Sequence, residues 1–384
     1  MPYPRVKPPM QRERPPFECI ALVLQGGGAL GAYQGGVYQA LSEAGIQPDW
    51  VAGISIGAIN SALIAGNAPE QRVEKLRAFW ESITIPQHVD ISAFMHGDLA
   101  HGAVNQMYAG VSVMQGIQGF FKPRMVSPWL CPSGSVGATS FFDTSPLKST
   151  LERFVDFDRI NNDGMRFSVG AVNVRNGNFV YFDNARYTIA PEHIMASGAL
   201  PPGFPPVEIE GELYWDGGLV SNTPLEWVLS SLPQKDTLAF QVDLWSARGS
   251  VPRDMSQVLT RQKEIQYSSR TRASTDRFRA LQKRRYAIAN LLDKMPDELK
   301  SSPDAQLLHP VAVRKVYNIV ELIYHSQDYE GDFKDYEFSR ASMENHWQAG
   351  YYDTVRTLRH ESVLKRPENG ESVQTFDMSR DGKG

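Results

Sequence analysis

Short apolar runs alternate with helix-like segments in the first part of the chain. Residues 19–25 read CIALVLQ, a run rich in branched side chains that predicts a buried strand. A glycine-rich loop follows, then a helix over 33–43 closed by Gly45, a second strand over 49–54 and a second helix over 56–65. This order, with short links, predicts parallel strands with helices on the faces of the sheet.

The same patterns continue towards residue 245. Apolar runs predict further strands over 167–172, 179–182 and 237–244, and Ser145-Pro146 predicts the start of a helix. The chain is therefore predicted to belong to the α/β class.

The pattern changes after residue 245. Residues 253–290 carry ten Lys and Arg against three Asp and Glu, with apolar residues at helical spacing. They predict a long basic amphipathic helix or a helix pair. Further helices are predicted over 311–324 and 342–360, so a mainly helical extension is expected over 246–365. The polar residues 366–384 are predicted to be a disordered tail.

Two other segments lack a clear pattern. Residues 1–16 are rich in Pro and Arg without an apolar stretch, which indicates a flexible arm rather than a secretory signal. Residues 86–140 hold Gly, Ser, Met and aromatic side chains. They are interpreted either as a lid over a site or as packing over a sheet edge.

The uncharged run 50–69 approaches the length of a membrane span, but its Ser, Asn and Gly residues favour a strand, a turn and a helix.

Composition excludes several classes of protein. Of 384 residues, 42% are hydrophobic and 21% charged, which is ordinary for a globular protein. A net charge of −4 excludes nucleic-acid binding by whole-protein charge, and no nucleic-acid partner is expected. The two cysteines, Cys19 and Cys131, form no C-x-x-C pair, which excludes zinc ribbons and iron–sulfur clusters. Free thiols fit a reducing compartment, and a cytoplasmic location is expected.

The glycine loop Gly26-Gly27-Gly28-Ala29-Leu30-Gly31 admits two interpretations. Its G-x-G-x-x-G spacing between a strand and a helix matches a dinucleotide-binding loop. That fingerprint needs an acidic residue at the end of the second strand, whereas Asp49 stands at its beginning. Alternatively, successive backbone N–H groups and the positive end of the helix form a cradle for an oxyanion.

A serine follows the second strand in the sequence Gly53-Ile54-Ser55-Ile56-Gly57. The pattern G-x-S-x-G between a strand and a helix is typical of an exposed nucleophile on a sharp turn. Gly53 and Gly57 leave room for that turn. The alternative is that Ser55 only caps the helix that begins at residue 56.

A serine nucleophile needs a base, and two candidates stand out. Among eight histidines, His193 is the best placed, although a surface or capping role is the alternative for it. Asp216 precedes Gly217 and Gly218, which permit close approach of the backbone. On spacing alone, Asp216 is equally well explained as an ordinary Asp-Gly turn.

Together these motifs resemble the patatin-like phospholipases, which are bacterial and plant serine acyl hydrolases. The glycine loop, the Ser55 turn and Asp216-Gly217-Gly218 occur in the family's order, and residues 196–202 resemble the turn that precedes its aspartate. The resemblance covers about residues 17–245, the expected catalytic domain. Residues 246–365 resemble the helical extension of some bacterial members.

The resemblance implies a three-layer α/β/α core and a Ser–Asp dyad without histidine. Ser55 would be the nucleophile, Asp216 the base, and backbone N–H groups around Gly26, Gly27 and Gly28 the oxyanion hole. No metal or organic cofactor is implied. The family often has a basic residue near position 29, which is absent here, so anion stabilisation is expected to rest on backbone donors.

The expected activity is hydrolysis of carboxylic esters in lipid-like substrates, as a phospholipase, lysophospholipase or esterase. A hydrolase of polyester or thioester acyl groups is an alternative, as is a non-catalytic membrane- or partner-binding protein on the same fold. The basic segment 253–290 is expected either to contact anionic lipid at the membrane periphery or to be a solvated helix face. The sequence predicts no oligomeric state.

Overall fold

The computed structural model describes residues 7–86, 98–268, 271–326, 330–367 and 372–378. Its strands are β1 (Cys19–Leu24), β2 (Trp50–Gly53), β3 (Lys122–Pro123), β4 (Phe142–Asp143), β5 (Arg166–Asn173), β6 (Phe179–Asp183), β7 (Val207–Ile209), β8 (Glu212–Asp216), β9 (Thr237–Asp243), β10 (Tyr317–Ile323) and β11 (Val373–Asp377). Its α-helices are α1 (Ala32–Glu43), α2 (Ile56–Ala65), α3 (Arg72–Ser82), α4 (Asp98–Gln115), α5 (Ser145–Phe154), α6 (Phe157–Asn162), α7 (Pro191–Ser197), α8 (Leu225–Ser230), α9 (Met255–Tyr267), α10 (Thr271–Lys294), α11 (Asp297–Lys300), α12 (Pro303–Leu308) and α13 (Arg340–Leu358).

One mixed sheet organises the described part of the chain. Its strand order is β11-β10-β9-β1-β2-β5-β8-β7, with β6 paired to β5. The strands from β11 to β5 are parallel, whereas β6, β7 and β8 pair antiparallel at the other side. β1 and β2 lie side by side in the parallel part, so the loops that follow them meet at one edge of the sheet.

Alternate residues of β1 face the two helical layers. Ile20, Leu22 and Leu24 belong to the core on one face, together with side chains of α1, α2 and α13. Ala21 and Val23 belong to a second core on the opposite face, which includes side chains of α8. Both faces of the strand are thus buried, as the continuous apolar run predicts, and the predicted three-layer α/β/α fold is confirmed.

The elements predicted in the first half of the chain lie within two residues of their expected bounds. The basic segment 253–290 forms the helix pair α9 and α10, and the helix predicted over 342–360 is α13. Among the described residues, no helix is both long enough and apolar enough to span a bilayer.

The helix predicted over 311–324 is wrong. Tyr317–Ile323 form strand β10 instead, between β9 and β11 of the sheet. Polar residues such as Asn318 and Glu321 interrupt the apolar run at helix-like spacing. The interior position of the strand, set by its neighbours, overrides that periodicity.

Both ends of the chain contain more order than the sequence indicates. Val373–Asp377, predicted as part of a disordered tail, form β11 and pair parallel with β10. In the predicted flexible arm, the Arg12 backbone N–H donates to the Ala44 carbonyl at 3.0 Å, and its guanidinium donates to the Leu358 carbonyl at 2.8 Å. These partners are distant in sequence, so local composition does not reveal them.

Helices α1 and α13 approach each other closely, which gives a test of the fold. A Cβ atom at Gly36 would overlap the Trp347 carbonyl, whereas one at Gly110 on α4 would meet open space. We expect Gly36→Ala to lower the free energy of unfolding by about 1–3 kcal/mol through overpacking. The matched control Gly110→Ala should be neutral or stabilising, because Ala favours helix. Urea denaturation measures both, and equal effects would contradict the close approach.

Candidate active site

Ser55 occupies a strained turn between β2 and α2. Its φ of 55° and ψ of −124° form a combination that side-chain-bearing residues rarely adopt. The Ser55 N–H donates to the carbonyl and to the hydroxyl oxygen of Ser197, at 3.1 Å in both cases. The Ser197 hydroxyl in turn donates to the Gly170 carbonyl at 2.7 Å. These bonds hold the turn in its strained conformation.

The glycines on either side of Ser55 allow main-chain segments to pack without side chains between them. A Cβ atom at Gly53 would overlap the Gly57 carbonyl, and one at Gly57 would overlap the Leu24 carbonyl at the end of β1. The sequence predicts that glycine at these two positions leaves room for the turn. The structure shows that this room is occupied by neighbouring main-chain carbonyls.

Asp216 lies at the end of β8 with its carboxylate against Ser55. The Ser55 side chain hydrogen-bonds this carboxylate, and the Gly218 N–H donates to its Oδ1 at 2.7 Å. Asp216 is 3% exposed. Burial raises the pKa of Asp216 to about 7, although the hydrogen bonds from Ser55 and Gly218 act in the opposite direction.

The glycine loop lies over the same point. Gly28 has a φ of +55°, and the next N–H, that of Ala29, donates to the Asp335 carbonyl at 2.8 Å. The Gly26 N–H donates to the Asn222 carbonyl at 3.3 Å, so this group is already engaged. Within the described residues, the N–H groups of Gly27 and Gly28 have no hydrogen-bond partner. Of the three N–H groups expected to bind an oxyanion, that of Gly26 therefore already has a partner, and the role of the other two remains a prediction.

A buried polar network, which the sequence analysis missed, holds the loop in place. The Gln25 Oε1 accepts from the backbone N–H groups of Leu244 and Trp245 at 2.6 and 2.9 Å. The Gly26 carbonyl accepts from Asn222 Nδ2 and from Trp245 Nε1, both at 3.0 Å. The available signal was weak: a glutamine directly after an apolar strand, and an asparagine six residues after Asp216.

Ser55 and Asp216 open into an apolar cavity of about 440 Å³. Five phenylalanines line it, namely Phe120, Phe121, Phe142, Phe204 and Phe338. Their rings pack edge to face or tilted, as in Phe121 and Phe142, whose centroids are 5.0 Å apart. The C-terminal extension contributes Tyr267, Asp335 and Tyr336 to the same cavity.

Two side chains that the alternatives require lie elsewhere. His193 packs on Phe182, with ring centroids 4.7 Å apart, and its Nδ1 accepts from the Ala190 N–H at 2.9 Å. His193 does not line the cavity, and burial lowers its pKa. Asp49 accepts from the Ile20 N–H at 2.7 Å and pairs with Arg14, so it is engaged away from the glycine loop. His88 and His96 lie outside the described residues.

A serine on a strand–turn–helix, with a carboxylate against its hydroxyl, is an arrangement typical of serine hydrolases. A model of the family described as patatin-like phospholipase matches residues 22–229, more than half of the chain. A second model, described as patatin phospholipase, matches residues 265–370. The chain belongs to the patatin-like phospholipase family.

Similar proteins carry related names. Patatin-like phospholipase domain-containing protein 7 of Rattus norvegicus is 26% identical over 226 residues, covering 58% of this chain and 14% of the relative. Patatin-like phospholipase domain-containing protein 6 of Homo sapiens is 29% identical over 224 residues, covering 58% of this chain and 13% of the relative. The chain thus spans about a seventh of the length of these relatives. Lysophospholipase nte1 of Aspergillus terreus is 57% identical over 49 residues, covering 13% and 3%. VipD of Legionella pneumophila has a TM-score of 0.37 and 14% identity, covering 89% of this chain and 67% of VipD.

The buried carboxylate predicts a pH-dependent stability. The ordinary pKa of an Asp carboxyl is 3.8. Below that pH, Asp216 is protonated in both the folded and the unfolded chain, so burying it costs little free energy. As the pH rises through about 7, the folded state must bury a charged carboxylate. The contribution that the raised pKa of Asp216 makes to the free energy of unfolding is therefore lost. We expect Asp216→Asn to be more stable than wild type by a few kcal/mol at pH 8, with the difference shrinking towards pH 4. Denaturation across this range measures it, and a pH-independent difference would contradict the raised pKa.

Proposed function

We propose that this protein is a serine acyl hydrolase that cleaves carboxylic ester bonds of lipid-like substrates. One observation carries the proposal: the Ser55 hydroxyl is hydrogen-bonded to buried Asp216 at the wall of an apolar cavity. Membership of the patatin-like phospholipase family and similarity to a protein named lysophospholipase support it. Hydrolysis of lipid esters is therefore the activity that fits both the site and the relatives.

The first step uses Ser55 as nucleophile and Asp216 as base. The Ser55 oxygen attacks the ester carbonyl, and its proton passes to the carboxylate. An ordinary carboxylate is too weak a base for this near neutral pH, but a pKa of about 7 brings Asp216 close to the ideal range. Asp216 then returns the proton to the leaving alcohol. Water then gives its proton to the same carboxylate and attacks the acyl carbonyl. The bond to Ser55 breaks, and Asp216 passes the proton to the Ser55 oxygen, so that the acid leaves and the site is restored.

The tetrahedral intermediate needs donors for its oxyanion. The partnerless N–H groups of Gly27 and Gly28 are the proposed donors. The N-terminus of α2, directly after Ser55, adds its positive partial charge at the same place. Backbone donors alone thus replace the basic side chain that the loop lacks.

The acyl chain is proposed to lie among the five phenylalanines of the cavity. Such a surface offers dispersion contact and excludes water, and none of the described residues that line the cavity is a Lys or Arg that could bind an anionic headgroup. Recognition is therefore expected to rest on the acyl part. A panel of esters with varied chain length and headgroup, including thioesters and polyester fragments, distinguishes a lipid hydrolase from the alternatives.

Removing either partner of the pair should abolish turnover. We expect Ser55→Ala and Asp216→Asn each to lower the rate on a soluble chromogenic ester by a factor on the order of 10⁴ or more. The double variant should lose little beyond either single one, because the two groups act as a unit. A fluorophosphonate probe should label wild type but not Ser55→Ala. Labelling or turnover that survives in folded Ser55→Ala would refute the assignment, and a wild type inert to both assays would favour a non-catalytic protein.

The pH profile should report Asp216 rather than histidine. We expect kcat/KM to rise with pH to a plateau above about 7, because the carboxylate must be unprotonated to act. The rise of kcat/KM near neutral pH is thus expected even though no histidine acts as the base. We call this rise the limb of the profile. His193→Asn, which keeps an acceptor for Ala190, should retain turnover and the same limb. The apparent pKa should hardly move with temperature, since carboxyl ionisation absorbs little heat. Loss of the limb in His193→Asn would overturn the proposed base.

A further inference from the structure

An exposed apolar surface lies on the segment that also contributes Ser112, Val113, Phe120 and Phe121 to the cavity wall. We call residues 103–141 the apolar rim. Met125 is 99% exposed, Trp129 87%, and Leu130 and Met114 are each 79% exposed. Large apolar side chains so completely in water, grouped in one segment, mark a surface that functions in contact with something else.

Helix α4 shows that this exposure follows a pattern. Among its described exposed residues, Ala103, Met107, Gly110 and Met114 recur at helical spacing, and the other exposed residues, Gln106, Val113 and Gln115, are also uncharged. An ordinary surface helix turns polar residues outward. Ser112, at 0% exposure, faces inward instead and lines the cavity. The helix therefore presents its apolar side to the outside and a small polar residue to the site.

The charges of the rim have one sign. None of the 43 Asp and Glu of the chain falls between Leu99 and Phe142, whereas Lys122 and Arg124 lie within this stretch. The Lys122 side chain is 61% exposed and pairs with Asp143, just outside the rim, at 3.2 Å. A surface of exposed apolar and aromatic residues with basic but no acidic side chains is complementary to anionic headgroups above an acyl layer.

The rim is also continuous with the site. Val113, next to the exposed Met114, lines the cavity that contains Ser55, and so does Phe142, next to the 42% exposed Phe141. An acyl chain that leaves a bilayer under the rim would pass from one apolar surface to another without crossing water.

We propose that the apolar rim is a docking surface for an anionic phospholipid bilayer, which places the cavity opening on its lipid substrate. The proposal rests on the proposed function for its choice of occupant, and on exposure, charge and continuity for its location. Trp129 and its apolar neighbours would enter the headgroup region, where amphipathic aromatic rings are favoured.

The basic helix pair is the competing membrane contact, and its charges are partly engaged. Arg261 pairs with Glu264 at 3.0 Å, and Lys263 with Asp335 at 2.9 Å. Arg279 pairs with Asp276 at 3.1 Å. These pairs reduce the positive charge available to lipid. In the rim, Lys122 is likewise paired, with Asp143 at 3.2 Å, whereas the Arg124 guanidinium donates to the uncharged Ser140 hydroxyl.

The test compares two double variants of the full chain in a Ser55→Ala background, so that vesicles stay intact. The probe is vesicles of phosphatidylcholine and phosphatidylglycerol, with binding measured by co-sedimentation. Trp129→Asp with Leu130→Asp should weaken binding by about tenfold or more, because apolar burial is replaced by charge. Val251→Asp with Leu307→Asp is the matched control, since these side chains are 85% and 77% exposed far along the chain. The control should bind like the parent.

A second readout separates this proposal from the proposed function. With Ser55 intact, the rim variant should retain hydrolysis of a soluble short-chain ester but lose hydrolysis of vesicle phospholipid about tenfold or more, in line with binding. Normal vesicle binding without hydrolysis of any ester would leave the docking surface standing and refute the hydrolase.

Three results would overturn the docking surface. The first is unchanged vesicle binding in the rim variant. The second is loss of binding in Lys283→Glu with Arg284→Glu alone, which would assign the contact to the basic helices. The third is a parent that forms a dimer in light scattering and a rim variant that does not, which would assign the rim to a second copy of this chain.

Discussion

The site depends on how closely the main chain packs where β1 and β2 end. The carbonyls of Leu24 and Gly57 occupy the space that side chains at Gly57 and Gly53 would need. Ser55 is therefore held at a positive φ, a strain of about 1–3 kcal/mol that its surroundings must offset. The Ser197 bonds to the Ser55 N–H supply part of that offset and aim the hydroxyl at Asp216. The position of Ser55 and the strain in its backbone thus have the same steric origin.

The glycine loop depends on segments far along the chain. Its carbonyl at Gly26 is bound by Asn222 and Trp245, and the N–H of Ala29 by the carbonyl of Asp335. The last of these contacts comes from the extension that follows the region matched by the first family model. The bond to Asp335 therefore ties the conformation of the glycine loop to the extension. This is a structural reason for the region with the glycine loop and the extension to be joined in one chain.

A single property, the apolar character of the cavity, serves several ends. It removes water from around Asp216 and so raises the pKa of that carboxylate towards neutrality. It offers the phenylalanine surface on which an acyl chain can pack. It also continues from Val113 and Phe142, which line the cavity, to their exposed neighbours Met114 and Phe141. A more polar cavity would lower the pKa of Asp216 and weaken the proposed acyl binding at the same time.

The sequence by itself determined the features that neighbouring residues control. The strand–helix alternation, the turn at Ser55 and the glycines around Asp216 are short-range patterns, because φ preferences and periodicity act over a few residues. Tertiary structure alone decided that residues 317–323 form a strand inside the sheet and that 373–377 pair beside it. It also decided that Gln25, Asn222 and Trp245 meet at the glycine loop, and that the Gly26 N–H donates a hydrogen bond to the Asn222 carbonyl. These outcomes depend on partners that lie from tens of residues to about 200 residues away in the sequence. The packing of the whole sheet brings these partners together, so no local pattern reveals them.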